Sequence, residues 1–183
     1  MTIPMKKLTL AMGLVLALGM VGSPVWAASV NDTDQVTISV NGVLAISDTT
    51  GDFTLTFSDF EIGTDSDTQA VTYRVKSNNM VDTALDGVVS AQIDSAIYGV
   101  ALKADVGTYA NIGSTGNVAL TEHAAGFATV GTTAVNLAKK ATTTGNQKKI
   151  LNGNLPITWK ATATEDLTEG DYTTNLTVTL KDA

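Results

Sequence analysis

Short runs in which apolar and polar residues alternate recur from Val36 to the end of the chain, and they constrain its fold more than any other feature. Phe53-Thr54-Leu55-Thr56-Phe57 is the clearest of them. Val36-Thr37-Ile38-Ser39-Val40, Val71 to Lys76, Leu155 to Ala161 and Leu176-Thr177-Val178-Thr179-Leu180 repeat the pattern. A period of two places one set of side chains on each face of an extended strand, whereas a helix needs a period near 3.6. The polar partner is most often Thr, whose branched Cβ suits a pleated sheet. Turn-forming clusters separate the runs: Asn41-Gly42, Asp48 to Asp52, Ser77-Asn78-Asn79 and Glu169-Gly170-Asp171.

Weaker strands are expected at Val43–Ser47, Val88–Ile93, Gly99–Val106 and Val118–Leu120. Ala134 to Lys140 reads as one or two turns of helix, and Ala141 to Lys149 as a polar loop. About seven to nine strands with little helix define an all-β, antiparallel β-sandwich of the Ig-like or pilin-like kind. The alternation turns Phe53, Leu55, Phe57, Tyr73, Val75, Ile157, Trp159, Leu176, Val178 and Leu180 inward. Asn41-Gly42 is a strong two-residue hairpin signal. It would fold Val36–Val40 back onto Val43–Ser47.

The first 27 residues are of another kind. Lys6 and Lys7 precede an uncharged apolar stretch from Leu8 to Val21, followed by Pro24 and Val25-Trp26-Ala27. This is the layout of a secretory signal peptide cleaved after Ala27. The apolar stretch is shorter than the roughly 20 residues that span a bilayer, so no membrane insertion of the mature chain is expected. Residues 28–183 then form a single sandwich domain outside the cytoplasm, secreted or at the cell surface. The chain has no Cys, so neither a disulfide nor a thiolate metal site is available. Loss of Lys6 and Lys7, with no acidic residue, takes the net charge from −7 to −9. Such a surface repels nucleic acid, and no nucleic-acid partner is expected.

Few residues suggest chemistry. His123 is the only histidine, and no Gly-x-Ser-x-Gly elbow accompanies it. A zinc site needs more ligands than one imidazole. The acidic residues Asp59, Glu61, Asp65 and Asp67 are dense enough to be weak calcium candidates, but their spacing is not that of an EF-hand loop. No cofactor and no enzymatic activity are expected. Of the aromatic residues, Tyr98, Tyr109 and Phe127 lie outside the alternating strands. They are the candidates for a polysaccharide-binding surface.

From Pro156 onward the sequence resembles the closing segment of secreted fimbrial subunits. Pro156-Ile157-Thr158-Trp159, a polar spacer, Gly170-Asp171-Tyr172 and the final Leu176–Leu180 run carry the resemblance. Phe57-Ser58-Asp59-Phe60-Glu61-Ile62-Gly63, and the Val71–Lys76 run ending in Ser-Asn-Asn, are similar to the front half of such subunits. The nearest groups are the spore-coat-U-like proteins and the archaic chaperone–usher pilins, which commonly carry a disulfide that this chain lacks. A fibre-forming sandwich of a biofilm matrix matches equally well. The resemblance implies a structural subunit of a pilus, fimbria or matrix fibre. In such fibres an N-terminal strand of one subunit completes the sheet of the next, giving a homopolymer. The donor here would lie within residues 28–42, with Val36, Ile38 and Val40 as its apolar teeth. A secreted carbohydrate-binding or adhesion module is the alternative.

Overall fold

The computed structural model describes residues 38–81, 83–113, 117–141 and 149–182. Among those residues the chain forms ten strands and no helix. They are β1 (Leu44–Asp48), β2 (Gln69–Ser77), β3 (Leu85–Ile93), β4 (Val100–Val106), β5 (Ala110–Asn111), β6 (Leu120–Glu122), β7 (Ala128–Val130), β8 (Val135–Lys140), β9 (Leu151–Ala163) and β10 (Leu176–Leu180). The chain divides into Met1–Ser39 and Val40–Ala183, and all ten strands belong to the second unit. The signal peptide read at residues 1–27 and the first donor residue, Val36, lie outside the described residues.

The strands make two antiparallel sheets, in the order β1-β2-β9-β4-β7 and β10-β3-β8-β6. This is the expected antiparallel sandwich. Short β5 pairs with β9 as well, in line with β4. β9 is the spine of the larger sheet. Its odd-numbered residues, from Leu151 to Ala163, are all buried, while the even-numbered ones are half-exposed. Leu155, Ile157 and Trp159 meet Val71, Tyr73 and Val75 of β2 in the core, with Val88, Val89 and Ala91 of β3 among the other buried residues.

Two residues in these strands need local explanations. Pro156 sits in a central strand, where a missing N–H normally breaks a ladder. Its carbonyl accepts from Gly107 N at 2.9 Å, so its donor side also faces that neighbour. There β4 has ended opposite Ile157 and β5 has not begun until Asn154. The proline therefore occupies the one gap in the neighbouring ladder. Gly153 faces inward beneath the Tyr109 ring, and a Cβ there would lie 2.3 Å from that ring.

Three expectations are corrected. Ala134–Lys140 is not helical: Val135–Lys140 is β8, paired with β3 on one side and β6 on the other. Ladder bonds on both edges outweigh a helix preference of a few tenths of a kcal/mol per residue. Asn41-Gly42 makes no hairpin, for Ile38–Val40 form no strand and Gly42 is not among the glycines with positive φ. The partner of β1 is β2, with Leu44 opposite Ser77. Asn78 extends that pairing, accepting from Val43 N at 2.7 Å and donating to the Asn41 carbonyl at 2.8 Å. Finally, Phe53–Phe57 joins neither sheet.

Candidate functional site

The unladdered segment Phe53–Phe57 defines the site. Phe53, Leu55 and Phe57 are half-buried while Thr54 and Thr56 are exposed, the alternation of an extended chain. Phe53 stacks on Trp159 with centroids 6.0 Å apart, which holds the segment against the inner face of the larger sheet. Only Thr56 is tied through its backbone: its carbonyl accepts from Asp67 N and its N–H donates to Asp67 Oδ1. The backbones of Phe53, Thr54, Leu55 and Phe57 make no hydrogen bond to any described residue. Residues 53–57 are thus a strap with strand-like side chains and no ladder.

Opposite the strap stands β10, which pairs with β3 alone. Every second residue of its backbone therefore points its N–H and C=O away from β3. Leu176 and Val178 are half-buried. The start of β10 is firmly fixed. The Asp94 carboxylate accepts from Asn175 N at 3.1 Å, Asn175 Nδ2 at 2.6 Å and Thr174 Oγ1 at 2.8 Å. These bonds, that of Thr174 first, hold the Asp94 carboxyl well below the usual carboxylate range. Ahead of β10, Tyr172 OH donates to the Thr168 carbonyl at 2.8 Å and accepts from Thr168 N at 3.1 Å. This closes the turn predicted at Glu169-Gly170-Asp171 in the manner of a tyrosine corner.

Between the strap and residues 167–176 lies a groove of about 1130 Å³. Tyr73, Leu102 and Ala161 of the larger sheet form part of its floor. Leu167 N donates to the Phe60 carbonyl at 2.8 Å, and Ile62 N to Asp166 Oδ1 at 3.0 Å, joining the two walls at one end. Burial, and then the Asp48 charge, push the Tyr73 hydroxyl up to about 12. A smaller cleft of about 190 Å³, lined by Ile46, Asp48, Tyr73, Leu176 and Val178, continues between β1 and β10. The site offers an apolar floor, unpaired main-chain groups on both walls, and a carboxylate-bearing rim. Such a site fits an extended polypeptide, whose backbone can pair while alternate side chains descend.

The other candidates do not converge. Asp65 accepts from Lys160 Nζ at 2.6 Å and Thr162 Oγ1 at 2.5 Å, and those bonds lower its pKa. Asp67 serves Thr56, and Asp59 accepts from Phe60 N at 2.7 Å. Among the described residues no group of three or more His, Asp or Glu side chains is placed to hold a metal ion. His123 is half-buried, 3.7 Å from Asp86. Phe127 lies under Lys160 Nζ, 4.5 Å from its ring centroid, on the outer face of the larger sheet. Tyr109 packs on the core side over Gly153, and Tyr98 is exposed beside Glu165. The three aromatics thus form no common platform. Of the donor residues, Ile38 and Val40 are described, 84% and 80% exposed.

The strap as a groove wall was not legible beforehand. Its alternation marked an inward face correctly, but pattern alone does not tell a paired strand from an unpaired one. The fold and site together define an antiparallel sandwich with an open groove along one side. No family model, curated protein or solved structure matches the chain.

Proposed function

We propose that the chain is a non-catalytic structural subunit of an extracellular fibre, a pilus, fimbria or biofilm-matrix filament, exported by its signal peptide. Neighbouring subunits join when the segment around Val36, Ile38 and Val40 of one enters the groove of the next. One observation carries the reading. Of the ten residues whose alternation points inward, Tyr73, Val75, Ile157, Trp159 and Leu180 are buried. Phe53, Leu55, Phe57, Leu176 and Val178 stay half-exposed, and all but Val178 line the groove. The core is short of cover along that one line. An incoming strand covers it, pairs the free edge of β10, and removes an aggregation-prone edge. Ile38 and Val40 are apolar, exposed and two residues apart, as teeth for alternate pockets need to be. Because donor and acceptor are different surfaces, the contact repeats head to tail and does not close.

Negative-stain microscopy of the purified mature protein tests this. Filaments are expected, and deletion of Ala28–Val40 abolishes them while leaving the β-sheet circular dichroism unchanged. A protein that stays monomeric at high concentration, or a deletion variant that still forms filaments, overturns the reading.

A further inference from the structure

We infer that the groove selects its strand by charge, and that the chain's own donor enters it against like-charge repulsion, so that ionic strength gates assembly. This rests on the strand-complementation reading above. Five carboxylates line the groove: Asp48, Asp52, Asp59, Glu169 and Asp171. No Lys, Arg or His stands among the described residues that line it. Two of the five are fixed by local bonds, Asp48 accepting from Gly51 N at 2.8 Å and Asp59 from Phe60 N. The charge reaches the floor, for Asp48 contributes to the raised pKa of Tyr73. The basic side chains that would compensate it are elsewhere. Arg74, Lys76, Lys103 and Lys160 alternate with buried residues and so stand on the outer face of the larger sheet.

The donor has the same sign as the rim. Residues 28–43 contain Asp32 and Asp34 and no basic residue, so the segment stays net negative even with the α-amino group that cleavage frees at Ala28. A strand of about seven residues spans roughly 23 Å. The Debye length is about 30 Å at 10 mM salt and about 8 Å at 150 mM. At low salt every rim carboxylate therefore acts on both aspartates throughout the approach, and at physiological salt only near neighbours do. Like-charge repulsion of this kind acts mainly on the association rate.

A synthetic peptide of residues 28–43, amidated at its C-terminus and carrying an uncharged fluorophore, is mixed with the Ala28–Val40 deletion variant, whose groove no donor of its own fills, and stopped-flow anisotropy gives that rate. We expect it to rise about tenfold between 10 and 150 mM NaCl. A peptide carrying Asp32→Lys and Asp34→Lys is expected to show the opposite slope. In the protein, Asp52→Asn, Glu169→Gln and Asp171→Asn together should flatten both. These three are chosen because, unlike Asp48 and Asp59, none caps a backbone amide in the bonds described above. Binding of the native peptide at a rate that is flat in salt, or falls with it, overturns the charge gate and leaves strand complementation standing. Failure of both peptides to bind at any salt overturns the two together.

Discussion

β9 and the Phe53–Phe57 strap begin from the same kind of sequence and end differently. Both alternate apolar with polar residues, and both turn an apolar face to one core, where Phe53 and Trp159 stack. β9 is laddered on both edges, by β2 and by β4 with β5. The strap is laddered on neither and is held by side chains. Period two thus specifies a face, while pairing depends on what the rest of the fold leaves beside the segment. β9 lies between β2, which pairs with Leu151–Trp159, and β4 with β5, which share most of its other edge. The strap lies at the side of the sandwich where β10 ends one sheet and β1 ends the other, and a groove separates it from β10.

The contrast predicts unequal costs for truncating the two partners of one ring stack. Trp159 is fully buried, so Trp159→Ala should lower unfolding free energy by about 3–5 kcal/mol. That is a large part of the stability of a domain this size. Phe53 is half-buried and sits on an unladdered segment, and Phe53→Ala should cost about 1–2 kcal/mol. Urea denaturation followed by far-ultraviolet circular dichroism measures both. Equal costs would mean that the strap is as much part of the core as β9 is.

Hydrogen exchange sharpens the comparison without changing the protein. The amides of Leu155 to Ala161 should open only with global unfolding, apart from Pro156, which has none. Those of Phe53, Thr54, Leu55 and Phe57 should exchange near the rate of free peptide, since no described residue accepts from them. Strap amides that become protected on filament formation would show that the incoming strand turns the strap into a strand.

Most of the sheet architecture was legible from the residues. The inward faces of β2, β9 and β10 follow from their alternation, and their turns from Gly, Asn and Asp. What was not legible depended on partners distant in sequence. Val135–Lys140 looks helical until β3 and β6 are placed beside it. The Asn41-Gly42 pair looks like a hairpin turn until Asn78 takes the Val43 amide. Val88 and Val89 are consecutive yet both buried, because β3 slips register against β8 just there, beside Gly87 at φ 61°. There the Asn136 side chain occupies the space a Cβ would need. The groove followed from no single segment. It is the space between two that the sequence separates by more than a hundred residues, such as Leu55 and Leu176.

The smallest expected effect concerns the wall of the groove that is fixed. Asp94 bolts the start of β10 to the end of β3, and its hydrogen bonds favour the ionised carboxylate in the folded state. Its folded pKa thus lies below the value near 3.9 of an unfolded aspartate. A group shifted in that direction contributes stability that is fully present above the unfolded pKa. The contribution is lost as pH falls below about 4 toward the folded pKa, because the unfolded chain then binds the proton first. Asp65, lowered chiefly by Lys160 and Thr162, adds to the same slope. Asp94→Asn should therefore weaken the protein at pH 7 and lose less on further acidification to pH 2.5 than the parent does. Urea midpoints at pH 7, 4 and 2.5 read this directly. An Asp94→Asn protein that tracks the parent in parallel at all three values would show that Asn175 and Thr174 hold the edge of β10 without help from that charge.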